Sequence, residues 1–210
     1  MAITRRQAIL GFAASACAPS LAHAQATEPL RTFRIPSGSM EPNLLIGDVV
    51  LTRWTGRPGA PALQRGDVIV FRRETEFWCK RVIGLPGDEV AIRRGVPQIN
   101  GEALLRVSAN GLGRNDGPRL LRETLGDRSY RIQVRDQLPK RSKEAALRRE
   151  MSALRVPDGE LFLLGDNRDD SLDSRGFGTA PIADVRFVAV QVVFSRDAGR
   201  IGFRLDRNAA

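Results

Sequence analysis

Histidine and cysteine are almost missing from this sequence: His23 is the single histidine, and Cys17 and Cys79 are the two cysteines. His23 lies in an N-terminal stretch with the layout of a cleavable leader, so the mature chain is expected to hold no histidine. Ser-His-Asp, Cys-His and histidine-metal chemistries are then excluded. The same cleavage would part the two cysteines, which removes an intrachain disulfide and a cysteine-rich metal site. Lysine is scarce too, since of 33 basic residues only Lys80, Lys140 and Lys143 are lysines. An arginine is never deprotonated in a protein, so a chain that prefers arginine elsewhere uses at position 80 a cation able to become a neutral amine. No apolar run is long enough to make the body a membrane domain. The 12 prolines and 20 glycines are too few for a fibrous protein, and 42% hydrophobic content is too high for a disordered one. Whatever chemistry exists must use Ser, Thr, Lys, Asp or Glu.

What is present fits one compact core: 210 residues, 27% of them charged. The formal net charge of +9 gives a basic surface, compatible with nucleic acid, anionic lipid headgroups or an arginine-rich composition alone. The arginines are scattered without a long basic run, which favours the last and argues against nucleic acid.

Residues 1–24 combine the pair Arg5-Arg6, an apolar part from about Ala8 to Ala18, and the small-residue pattern Ala22-His23-Ala24. This is an export-signal layout. Pro19 interrupts the apolar part, which is shorter than the ~20 residues of a membrane-spanning helix. Thr4-Arg5-Arg6 resembles a twin-arginine signal, with an ordinary secretory signal as the alternative. A lipid anchor at Cys17 is a third option, without the usual leucine three positions earlier.

From residue 30 onward, short apolar runs are split by Gly, Pro and Asp, and strand signals dominate. The runs are 49–52, 68–71, 82–83, 90–92, 132–134, 161–164 and 185–194. In Gln98-Ile99-Asn100-Gly101-Glu102, Asn-Gly between two short runs predicts a two-residue hairpin turn, because both positions need positive φ. Residues 101–155 are polar and arginine-rich, with a helical candidate near Arg141 to Leu154. The expected architecture is mostly β: an antiparallel core over 25–100 and 156–210, few short helices, and 101–155 as an inserted subdomain or long excursion.

Three separated clusters carry chemistry. In Ile35-Pro36-Ser37-Gly38-Ser39-Met40-Glu41-Pro42, a Ser-Gly-Ser stretch alone reads as a turn before a strand. Lys80-Arg81-Val82-Ile83-Gly84-Leu85-Pro86-Gly87-Asp88 follows the apolar Phe77-Trp78-Cys79, and a lysine there can simply snorkel from a strand edge. Gly165-Asp166-Asn167-Arg168-Asp169-Asp170-Ser171-Leu172-Asp173-Ser174-Arg175 reads alone as a polar turn or a calcium loop, but lacks EF-hand spacing.

Together, and in this order, the clusters resemble the bacterial type I signal peptidases, membrane-associated serine proteases that remove signal peptides from exported precursors. The resemblance spans residues 33–100 and 156–194. It implies Ser39 as nucleophile, Lys80 as general base, an oxyanion hole from the Ser37 hydroxyl and the Ser39 amide, and Ser171 orienting the base. It implies that Asp166, Asn167, Arg168, Asp173 and Arg175 frame the loop. Phe33, Ile35, Pro36, Met40, Leu44, Val50, Trp78 and Cys79 would line pockets for small side chains, as in Ala-x-Ala sites. No metal or other cofactor is implied; the partners are exported precursors and a membrane surface, at the periplasmic or outer face of the cytoplasmic membrane. The chemistry suits a chain short of histidine, because a buried lysine can be neutral and deprotonate a serine.

The chain departs from the family pattern in four places, one being an insertion that is short for the family. A cleavable export signal stands where most members keep an apolar anchor, Asn43 stands where threonine is frequent, and Trp78-Cys79 replaces an aromatic and an aliphatic residue. Cys79 alternates with Lys80 along a strand and is expected in the core, as no nucleophile. The rivals are a maturation peptidase dedicated to pilin or conjugation proteins, and a catalytically silent peptide-binding protein of the same fold.

Overall fold

The computed structural model describes residues 30–56, 62–109, 118–135 and 149–205. The export-signal layout of residues 1–24 lies outside them. Three antiparallel sheets share the described residues. The largest contains β1 (Leu30–Arg34), β2 (Val49–Trp54), β3 (Val68–Arg73), β4 (Glu76–Gly84), β12 (Glu160–Leu164), β13 (Ala180–Pro181) and β14 (Val185–Phe194). Its order is β1-β2-β14-β3-β4-β12-β13. The second sheet has the order β11-β5-β6-β7, from β5 (Glu89–Arg93), β6 (Val96–Ile99), β7 (Glu102–Ala103) and β11 (Met151–Arg155). The third is β10-β9-β8, from β8 (Leu105–Ser108), β9 (Arg119–Leu125) and β10 (Arg128–Val134). The α-helix of the described residues, α1 (Ser174–Phe177), is a single turn capped by the Asp173 carboxylate on the Arg175 amide. The mostly-β expectation therefore holds.

Each apolar run of the sequence lies in a strand, where pairing with neighbouring strands satisfies the backbone N–H and C=O groups that burial removes from water. β14 pairs with both β2 and β3, and register shifts along it bend the sheet. The bend brings distant strands together. β1 and β4 stand apart in the strand order, yet the rings of Phe33 and Phe77 come within 5.3 Å of each other. The sheet thus coils until these two strands face each other across a groove.

Ile99 pairs with Glu102 around the turn at Asn100 (φ 53°) and Gly101 (φ 85°), the predicted hairpin. The helical expectation over 141–154 is corrected where the chain is described. Met151–Arg155 is a strand that pairs Met151 with Ile92 and Leu154 with Val90, so tertiary pairing overrides local helical preference. Residues 141–148 lie outside the described residues. The second sheet takes β7 and β11 from the 101–155 segment and β5 and β6 from before it. One apolar cluster joins Leu121, Leu125 and Ile132 of the third sheet to Ile83, Phe162 and Leu164 of the first. Each such fully buried side chain contributes roughly 1.5–3 kcal/mol.

Candidate active site

Ser39 sits in a one-turn 3-10 helix, Gly38–Met40, that follows β1. Met40 and Leu44 are buried in a cluster with Ile35, Val50 and Val192, while the Leu44 amide donates to the Met40 carbonyl at 3.0 Å. Apolar anchors thus fix the backbone on which Ser39 rides. Lys80 comes from β4, where it pairs with Ile69 of β3. Its Nζ donates to Ser39 Oγ at 2.8 Å and to the Cys79 carbonyl at 3.0 Å. The Ser37 hydroxyl lies 3.3 Å from that of Ser39.

Lys80 is only 4% exposed. Burial depresses its pKa below the ordinary lysine value, against the opposing pull of Cys79, Asp173 and Asp166. The Trp78 ring, 5.6 Å from Nζ, closes one side, and Phe177 meets Trp78 edge-on at 6.0 Å. The next residue, Arg81, is buried and binds Asp166 bidentately, at 2.7 Å through each of Nε and Nη2. Adjacent positions of one strand therefore serve two purposes: Lys80 reaches the serine and Arg81 ties down the loop after β12.

That loop approaches the nucleophile closely. The Asn167 amide donates to the Ser39 carbonyl at 3.1 Å, and its side chain donates to the Gly38 carbonyl at 3.1 Å. Asp173 accepts from the Gly165 amide and from Arg175. Burial pushes the Asp173 carboxyl up, but Arg175, the Gly165 amide and a hydrogen bond from Ser171 outweigh it and hold it below the usual range. Ser171 is buried within this loop. The calcium-loop alternative loses its ligands, because Asp166 is bound to Arg81, Asp169 to Arg149 and Asp173 to Arg175. Among the described residues no group of His, Cys, Asp and Glu is placed to hold a metal ion.

Between β1 and β4 lies a groove of about 490 Å³ that reaches Ser37, Ser39 and Lys80. Of the residues expected to form pockets, Phe33, Ile35, Pro36, Met40, Trp78 and Cys79 line it. Leu44 and Val50 do not; both are fully buried in the cluster beneath Met40. Cys79 packs against that cluster as well as bordering the groove, and burial pushes its thiol up to about 12, which leaves no thiolate for nucleophilic attack. Leu172 and Asp170 of the loop also line the groove and were not singled out in the sequence.

Three further residues have framework roles that sequence reasoning did not assign. Asn43 donates to Asp166 and to the Arg131 carbonyl, at 2.6 Å each. Gly165 is packed where a side chain would strike both Ser171 and Ser39. Glu123 of β9 is fully buried and binds Arg168. Its signal was present: Leu121, Glu123 and Leu125 share one face of β9, so a carboxylate occupies a core position and needs a partner.

The chain matches the family described as "Signal peptidase, peptidase S26" over residues 9–194. It is 37% identical over 170 residues to "Signal peptidase I" of Pseudomonas fluorescens, covering 68% of this chain and 54% of that protein. Against "Signal peptidase I" of Pseudomonas aeruginosa it is 35% identical over 167 residues, with the same coverage of 68% and 54%. The chain thus spans about half the length of these curated relatives. A crystal structure of a signal peptidase I from Enterococcus faecalis is similar at 28% identity and a TM-score of 0.37, covering 61% of this chain and 97% of that one.

Proposed function

Because the chain belongs to the signal peptidase family, peptidase S26, we propose that it is a serine endopeptidase that removes signal peptides from exported precursors, with Ser39 as nucleophile and Lys80 as general base. The observation that carries this is the 2.8 Å contact between Ser39 Oγ and the Nζ of a buried Lys80. A serine hydroxyl attacks a peptide carbonyl only if its proton is taken, and a desolvated amine is neutral often enough to take it. Lys80 then returns the proton to the leaving amine, and a water activated by Lys80 releases the acyl-enzyme. The Ser37 hydroxyl and the Ser39 amide are the proposed oxyanion donors.

Specificity is proposed to follow from the groove. Ile35, Met40 and Trp78 line it beside Ser39, and side chains of this size crowding the nucleophile would exclude large substrate residues and so select Ala-x-Ala sites. The export-signal layout of residues 1–24 agrees with action at the outer face of the cytoplasmic membrane. No helix among the described residues is long and apolar enough to cross a membrane, so approach to membrane-held precursors is proposed to use the surface around the groove, where Phe77 and Leu172 are exposed. The test is incubation of an Ala-x-Ala precursor peptide in detergent with the full chain and with Ser39→Ala, read by mass spectrometry. A cut after the second alanine by the serine protein alone is expected; no cut by either would favour a silent peptide-binding role.

A further inference from the structure

Glu123 is a charge with no access to the groove or to solvent, being 0% exposed on β9. Burial pushes its carboxyl up, but Arg168 and Arg106 more than reverse this and leave it ionised, at about 2. Its oxygens accept from both terminal nitrogens of Arg168, from Arg106 Nε at 2.8 Å and from the Tyr130 hydroxyl at 2.8 Å. A buried ion pair of this kind is rarely more stabilising than apolar residues of the same volume, so stability alone is a poor explanation for it.

Its partner explains it better. Arg168 belongs to the loop between β12 and α1, and its Nε donates to the Gly165 carbonyl at 3.0 Å. Its amide donates to the Gln133 carbonyl of β10 at 3.0 Å, and its carbonyl accepts from Arg175 at 2.6 Å. The preceding residue, Asn167, holds Gly38 and Ser39 by two hydrogen bonds. Gly165, in turn, donates to Asp173 and abuts Ser171. Arg168 therefore sits where one displacement would move the backbone of the serine and the buried residues beside the lysine together.

We propose that Glu123 is a positioning residue for the Ser39–Lys80 pair, acting through Arg168, and that the β9–β10 hairpin is thereby a working part of the site. This rests on the reading of the chain as a Ser39–Lys80 peptidase. The hairpin lies within the 101–155 segment and supplies Glu123, Tyr130 and the Gln133 carbonyl to the loop.

The test uses the full chain and Glu123→Gln, which keeps the shape and removes the charge. Cleavage of an Ala-x-Ala peptide is expected to show kcat lowered about ten- to a hundredfold with KM nearly unchanged, the pattern of a misplaced catalytic group. The Lys80 titration, followed by NMR of ¹³C-labelled lysine in a chain with three lysines, is expected to move up toward the ordinary lysine value as water reaches the amine. A purely structural role would lower Tm and leave both readouts in the folded fraction alone. Should Glu123→Gln fail to fold, Tyr130→Phe, which removes one donor from Glu123, is expected to shift both readouts the same way by a smaller amount. A folded variant with unchanged kcat and unchanged Lys80 titration, or with only KM raised, overturns the proposal. If the wild-type chain cuts no peptide but its Lys80 titration still depends on Glu123, the positioning stands and the peptidase reading fails.

Discussion

Gly165 and Ser39 approach so closely that a Cβ on the glycine would lie 2.5 Å from the Ser39 carbonyl oxygen, and 2.2 Å from Ser171 Oγ. The oxygen is backbone and is also held by the Asn167 amide, so it cannot swing aside as a side-chain tip can. Gly165→Ala must therefore displace either the loop or the nucleophile turn. Overpacking of this kind costs about 1–3 kcal/mol, and a displaced nucleophile costs about a hundredfold in rate. Urea unfolding and peptide-cleavage kinetics on the variant check both; wild-type kinetics would show that the close approach is not needed for turnover.

Lys80 is the converse case, a residue whose burial opposes folding. Its pKa is lower in the folded than in the unfolded protein, so between the two values the unfolded chain binds more protons and stability rises with pH. Below that window the protonated amine carries the full desolvation penalty. Lys80→Met, which keeps the volume and removes the charge, is expected to raise Tm at neutral pH while lowering cleavage by about 10²–10⁴-fold, the usual worth of a general base. A lower Tm would mean that the lysine contributes favourably to the fold.

Acid should act through the buried carboxylates. Against the upward push of burial, Arg168 and Arg106 hold Glu123 well below the ordinary glutamate value, at about 2, so its ionised form favours the folded state at neutral pH. Asp173 is depressed as well. A depressed carboxylate stabilises the fold above its unfolded pKa, and that stabilisation is lost as pH falls through the folded one. Unfolding free energy should thus drop between about pH 5 and 2, and less steeply in Glu123→Gln. Equal slopes in urea titrations across this range would contradict the assignment.

The strands were legible because short apolar, β-branched runs bounded by Gly, Pro and Asp need no tertiary information to be read, as in Val185–Phe194, which forms β14 over the whole apolar run. The strand Met151–Arg155 was not, since it exists through Val90 and Ile92 of its partner. In the site, the scarcity of lysine drew attention to Lys80, the family likeness named Ser39 beside it, and the fold places the two in contact. Asp166, Asn167 and Arg168 were visible as a polar cluster, but their partners were not. Arg81 and Asp166 are distant in sequence, and Glu123 in Arg122-Glu123-Thr124 reads as one more surface charge until its phase on β9 is followed. Leu44 and Val50 fell the other way: family likeness placed them in the pocket, and packing puts them under it.

The most direct test is the pH dependence of kcat/KM on an Ala-x-Ala precursor peptide for the wild-type chain and Lys80→Arg, side by side. A neutral Lys80 acting as base for Ser39 predicts wild-type activity that rises through a single ionisation below lysine's ordinary ~10.4, and none from the arginine variant, whose side chain keeps the charge but cannot accept a proton. A flat wild-type profile, or cleavage by a correctly folded Lys80→Arg, would contradict it.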